Sequence, residues 1–116
     1  MQKTKEQKLD VRFYRLANGV EPVRGWLKSL PKSAKVEIGS DIQKVQWRWP
    51  VSKPLVDTLG GGVFEVRTKV NRVQYRVLFS IKDSTMVLLH GFEKKVRSAR
   101  DDIAVARERK KEVDKE

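Results

Sequence analysis

The clearest periodicity lies between residues 31 and 47. There Ala34, Ile38, Ile42 and Val45 recur at spacings of four, four and three among charged neighbours. That spacing keeps them on one face of a helix, so a helix is predicted from Pro31 to about Trp47, with the proline opening it. Gly39 inside it costs about 1 kcal/mol and marks either close packing or a weak point. A shorter stripe of Val23, Trp26, Leu27 and Leu30 predicts a preceding helix from Glu21 to Ser29. Pro22 falls in its first turn, where the missing N–H is harmless. The short link between the two makes a helical hairpin, and the stripe assigns Trp26 to the core.

Elsewhere the period is two. Val11 to Leu16 reads as a strand, followed by an Asn18-Gly19 turn. In Val63 to Val70, Phe64, Val66 and Thr68 alternate with Glu65, Arg67 and Lys69. In Val73 to Ile81, Tyr75, Val77 and Phe79 alternate with Gln74, Arg76, Leu78 and Ser80. Thr85 to Phe92 is apolar on both faces, the pattern of a central strand covered on both sides. Turns at Asn71-Arg72 and at residues 82–84 join these three strands into an antiparallel meander. If Phe64 and Tyr75 share the core, Arg67 and Arg76 share the opposite, wet face.

The remaining segments connect or flank these elements. Residues 1–10 read as a flexible polar tail and 11–116 as a single domain. Residues 51–62 read as a connecting loop. The three glycines that close it lack the following Lys-Ser/Thr and helix of a phosphate loop, so they give the next strand a tight, adaptable start. Trp47 and Trp49, beside Arg48, can stack on bases; the preferred reading is that they plug the hairpin end against the sheet. From about Ala99 a C-terminal helix carries a thin stripe of Ile103, Ala106 and Val113 among mixed charge. It reads as solvated, with room for docking to a partner protein. The fold class is α+β: an N-terminal strand, a helical hairpin, a three-stranded antiparallel meander and a C-terminal helix.

Composition narrows the function. The chain has 116 residues, no cysteine, one histidine and a formal net charge of +11. Cysteine-based metal or disulfide chemistry is therefore excluded. No apolar run reaches the length of a membrane span, and residues 1–10 lack the apolar core of a secretory signal. A cytoplasmic protein is the expectation. The charge favours a polyanionic partner, nucleic acid first, through counterion release; an acidic protein partner is the alternative.

The cations concentrate on the strand-rich segment: Arg67, Lys69, Arg72, Arg76, Lys94, Lys95 and Arg97, with Glu65, His90 and Glu93 at the edges. Nothing has the spacing of a zinc or two-metal site, and no cofactor is implied. Metal-free RNA cleavage can operate from such a set. A group takes the 2′-OH proton, cations stabilise the charge on the phosphorane, and a group protonates the leaving 5′ oxygen. Guanidinium groups suit the second task because they grip two phosphate oxygens. A lysine crowded by cations can move a proton, and Glu65 and His90 are candidate acceptors. The opposing reading is that exposed Arg and Lys are simply common on half-exposed strands.

The succession GGVFEVR (61–67), RVQYRVLF (72–79) and VLLHGFEKK (87–95), with PVRGWLKSLPKSAK (22–35) upstream, resembles the RelE/ParE toxin superfamily, and within it the HigB-like, phage-derived branch. The resemblance spans roughly residues 11–107. It implies a RelE-like fold with the helical hairpin on one sheet face and an RNA-binding concavity on the other. It also implies a type II toxin, a ribosome-dependent mRNA endonuclease held inactive by an antitoxin, commonly a helix-turn-helix protein. Carried over by position, Arg67, Arg76, His90, Lys94 and Lys95 are the catalytic candidates. Lys69, Arg72, Phe92 and Arg97 are the RNA-binding ones. After the Lys pair this chain reads Val96-Arg97-Ser98-Ala99-Arg100, without the branch's proline. It has no Tyr or His beyond Phe92, so the general base is left open. A gyrase poison of the ParE kind on the same fold, and a non-enzymatic nucleic-acid-binding protein, are the competing expectations.

Overall fold

The computed structural model describes residues 7–95 and 98–116. In chain order the elements are β1 (Asp10–Phe13), α1 (Pro22–Lys28), α2 (Lys32–Arg48), β2 (Val56–Gly60), β3 (Val63–Val70), β4 (Val73–Lys82), β5 (Thr85–Glu93) and α3 (Arg100–Asp114). The strands form one sheet in the order β1-β5-β4-β3-β2. β2 to β5 pair antiparallel in succession, and β1 joins β5 in parallel, from Asp10 opposite Thr85 to Phe13 opposite Leu88. This is a small α+β domain.

The helical hairpin covers one face. Ala34, Ile38, Ile42 and Val45, the residues singled out by their spacing, are all buried, in one cluster with Val66, Val77, Phe79, Met86 and Leu88. Burying each large aliphatic contributes roughly 1.5–3 kcal/mol. Trp49 closes the hairpin end, edge-on to Phe64 at 5.1 Å and to Phe79 at 5.8 Å. It is the expected plug, whereas Trp47 stays exposed. A Cβ at Gly39 would meet nothing within 4 Å, so packing does not require that glycine.

The second face carries α3. Ala106 and Val113 are fully buried against Val63, Leu78, Val87 and Leu89. Because β5 has Met86 and Leu88 in one cluster and Val87 and Leu89 in the other, it is the doubly covered central strand its composition predicts.

Four expectations are corrected. Residues 56–60, expected to be loop, form β2, so the meander has four strands rather than three. The segment escapes notice because it is short and lies just past Pro54. The glycines at its end make its hairpin turn to β3, with φ of 85°, 65° and 83° at Gly60, Gly61 and Gly62. The domain also starts before residue 11: Leu9 is buried, and the N–H groups of Lys8 and Leu9 both donate to the Gln46 carbonyl. Residues 1–6 lie outside the described residues. The charges of α3 are not merely solvated. Arg107 donates to the carbonyls of Leu59 and Gly60, Arg109 to that of Leu89, and Lys82 to those of Val113 and Glu116. Trp26 packs against the core but is only partly buried, and it walls a surface cleft.

Candidate active site

Two tight turns set the register of the site. Asn71-Arg72 and Asp83-Ser84 all have positive φ, between 50° and 70°, as two-residue hairpin loops matched to strand twist require. The first places Val70 opposite Val73, and counting back puts Arg67 directly opposite Arg76. Side chains on paired residues share a face, so both arginines rise from the α3 side of the sheet, the side of Val63 and Leu78.

A β-bulge completes the face. Leu88 pairs with Phe79, yet His90 pairs with Leu78, so β5 carries one extra residue at Leu89. Strict alternation would leave His90 and Phe92 with Met86 and Leu88, under the helical hairpin. The bulge turns both to the side of Arg76, with Phe92 directly opposite it.

The wet face is not a simple row of cations. Glu65 is buried, and its Oε1 accepts from Arg67 Nε at 2.9 Å and lies 3.6 Å from Arg76 Nε. Arg67 also donates to Asp57 Oδ2 at 2.8 Å. Arg76 donates to Gln74 Oε1 at 2.8 Å and to the Tyr75 carbonyl at 3.4 Å. Glu65, expected at the edge of the cluster, is thus its centre. The side chain of Arg76 is 11% exposed and that of Arg67 36%. Burial pushes the Arg76 guanidinium below its ordinary value, Glu65 works to raise it again, and Arg67 lowers it further. It stays cationic at physiological pH regardless.

On the next strand, His90 Nε2 lies 2.7 Å from Asp102 Oδ1 on the first turn of α3. A carboxylate can only accept, so the tautomer that fits this contact carries its proton on Nε2 and leaves Nδ1 to accept. The imidazole stacks on Phe92, centroids 5.7 Å apart at 23°. Phe92 is buried in the second cluster, where its ring supports His90 and the core, and it also lines the cleft beside the Lys pair.

The other predicted residues spread outward. Lys69 and Arg72 are exposed, Arg72 at the tip of the β3–β4 turn. Lys94 continues β5, its N–H donating to the Gln74 carbonyl at 2.7 Å, and its Nζ donates to the Lys95 carbonyl. Lys95 pairs with Glu93 at 3.0 Å. Arg97 lies outside the described residues. Beside the Lys pair a cleft of about 280 Å³ opens, lined by Trp26, Gly91, Glu93, Lys94, Lys95 and Asp102 among others. Among the described residues no group of three His, Asp or Glu could hold a metal ion, and no helix is long and apolar enough to cross a membrane.

The structure therefore brings Arg67 and Arg76 together, sets His90 and the Lys pair along the adjoining strand, and leaves Arg72 at the periphery. Asp57 and Asp102 were missed. Asp57 sits on the unpredicted β2. The signal available for Asp102 was an acidic first turn, which by itself suits a helix N-terminus electrostatically.

Comparison with known proteins places the chain in a family. The family model described as "Phage derived protein Gp49-like (DUF891)" matches residues 25–111, from α1 into α3. No curated protein matches the chain.

Proposed function

The chain belongs to this Gp49-like family of phage-derived, toxin-like proteins, whose context is the RelE-like toxins of type II toxin–antitoxin pairs, and from that premise we propose that it is an mRNA endonuclease acting on the ribosome. The observation that carries the reading is the Arg67–Arg76 pair, set side by side across β3 and β4 with Glu65 between them, Arg67 the more exposed of the two. Two arginines on adjoining strands, both within reach of one Glu65 oxygen, suit the non-bridging oxygens of one phosphate.

In this reading His90 Nδ1 takes the proton of the 2′-OH as the O2′–P bond forms. Asp102 holds the ring and stabilises the imidazolium. Arg67 and Arg76 stabilise the extra charge on the phosphorane, exchanging part of their bonding to Glu65 and Asp57 for phosphate. The P–O5′ bond then breaks, and the leaving oxygen takes a proton from the Lys94/Lys95 pair. The products are a 2′,3′-cyclic phosphate and a 5′-OH. Exposed Lys69 and Arg72 hold the flanking backbone. A cognate antitoxin, of the helix-turn-helix kind the resemblance implies, would mask this face.

The test is a short pulse of expression followed by sequencing of mRNA 5′ ends. Codon-phased new ends are expected, and they should disappear, with growth arrest relieved, in Arg76→Ala and in Lys94→Ala/Lys95→Ala. Arrest that persists undiminished in both variants defeats the site assignment. Arrest with intact mRNA and inhibited supercoiling moves the protein to gyrase poisoning, and salt-dependent RNA binding without cleavage moves it to a non-enzymatic binder.

A further inference from the structure

The cleft beside the Lys pair has a construction that the cleavage chemistry does not use. β1 ends at Phe13, opposite Leu88, and its last backbone bond to β5 runs from the Tyr14 N–H to the Leu88 carbonyl. Beyond that point no strand among the described residues pairs with the outer edge of β5. The Lys94 N–H donates inward to the Gln74 carbonyl of β4. In an antiparallel ladder successive residues alternate between the two edges, so the peptide groups of Gly91 and Glu93 face outward, into the cleft. Peptide N–H and C=O groups at such an edge are strong hydrogen-bonding positions.

Trp26 forms one wall. The six-membered ring of its indole sits so close to Gly91 that a Cβ there would collide with it. Its other neighbour is Tyr75, edge-on at 6.3 Å. Lys94 and Lys95 stand at the rim, and Asp102 belongs to the opposite wall. The floor is one strand over from Arg76, because Phe92 lies opposite that arginine.

The geometry points to this cleft as the binding site for one base of single-stranded RNA, adjacent to the phosphate held at Arg67 and Arg76. The proposal rests on the RNase reading and adds to it where the neighbouring base goes. An aromatic wall, outward backbone donors and acceptors, and a cationic rim are the features by which proteins hold unpaired bases. A volume of about 280 Å³ is small against the usual range of ligand pockets and suits a single nucleotide. A strand-forming peptide is the less favoured occupant. Only Gly91 and Glu93 face outward here, and the start of α3 at Ala99 and Asp102 closes the cleft beyond them.

The test is a titration of the full-length protein, followed by 1H–15N NMR, with a 2′-O-methyl RNA trinucleotide that cannot be cleaved. A second titration uses the same backbone with an abasic central position. The base-bearing ligand is expected to shift the Trp26 indole N–H and the Gly91 and Glu93 amides saturably, leaving the exposed Trp47 indole in place. The abasic ligand is expected to bind about tenfold more weakly. In Trp26→Leu, with the Trp47 and Trp49 signals unchanged as the sign of an intact fold, that difference should vanish.

Equal affinity for the two ligands overturns the proposal. So does preferential shifting of Gly91 and Glu93 by a glutamate-rich, strand-forming hexapeptide. The titration does not depend on turnover. A protein that cleaves mRNA but fails it keeps the RNase reading and loses the base cleft, whereas base-dependent binding without cleavage does the reverse.

Discussion

Glu65→Gln should weaken the fold and strengthen the grip on phosphate. The Glu65 side chain is 7% exposed, and it neutralises one guanidinium that is 11% exposed and another that is 36% exposed. An exposed ion pair contributes at most about 1 kcal/mol, and removing one partner of a fully buried pair costs about 3–5 kcal/mol. This site lies between those limits. Arg67 keeps Asp57 at 2.8 Å and Arg76 keeps Gln74 at 2.8 Å, so part of the loss is recovered. A destabilisation of about 2 kcal/mol is expected, read as a lower urea midpoint at unchanged m value. The control, Arg67→Gln, should cost less than about 1 kcal/mol because that side chain is the more solvated. Binding should move the other way. With one carboxylate charge removed from between the two arginines, the trinucleotide binds several-fold more tightly at low salt, with a steeper salt dependence. Stability within about 0.5 kcal/mol of the parent, the usual range for an inconsequential surface change, would refute the counter-ion role. So would a loss of binding in step with the loss of stability.

Arg72 occupies a left-handed position, φ 70°, in a two-residue turn that favours Asn-Gly. Arg72→Gly should therefore stabilise the domain by about 1 kcal/mol in urea denaturation, and a simultaneous loss of growth arrest would show that the arginine is retained for RNA. Gly91→Ala drives a Cβ into the Trp26 indole; a loss of about 1–3 kcal/mol is expected, together with displaced Trp26 and Tyr75 NMR signals, and an unperturbed Trp26 would contradict the packing. For Glu21, burial works to raise the carboxyl, but hydrogen bonds and charge from Arg15 and Arg24 outweigh it and hold the group below its ordinary value. A depressed carboxylate contributes stability above its unfolded pKa and loses it as pH falls through the folded one. Its NMR titration midpoint should therefore lie below that of a solvated glutamate and rise to or above the ordinary range in Arg15→Gln/Arg24→Gln.

The helical hairpin was legible because packing and periodicity there say the same thing: Ala34, Ile38, Ile42 and Val45 can share a face only in a helix, and all four are buried. β5 was legible for a similar reason, since an apolar run without alternation has to be covered on both sides. The candidate site was legible only in its cations. Its carboxylates depend on two features with no periodic signature. β2 pairs through a turn of three left-handed glycines, and it brings Asp57 to Arg67. The bulge at Leu89 shifts one strand by one residue, which leaves composition and alternation almost unchanged while reversing the face of everything after it. That reversal lets His90 meet Asp102 and sets Phe92 opposite Arg76. It also turns Gly91 under Trp26, so a tryptophan assigned to the core by its helical spacing becomes a cleft wall. A row of strand cations suggests only a polyanion. Once the bulge and β2 are in place, the same cations become a counterbalanced pair, with a positioned imidazole on one side and a base-sized cleft beyond it. His90, a candidate acceptor in the sequence, faces Asp102 only because of a one-residue shift that no alternation rule would have assigned.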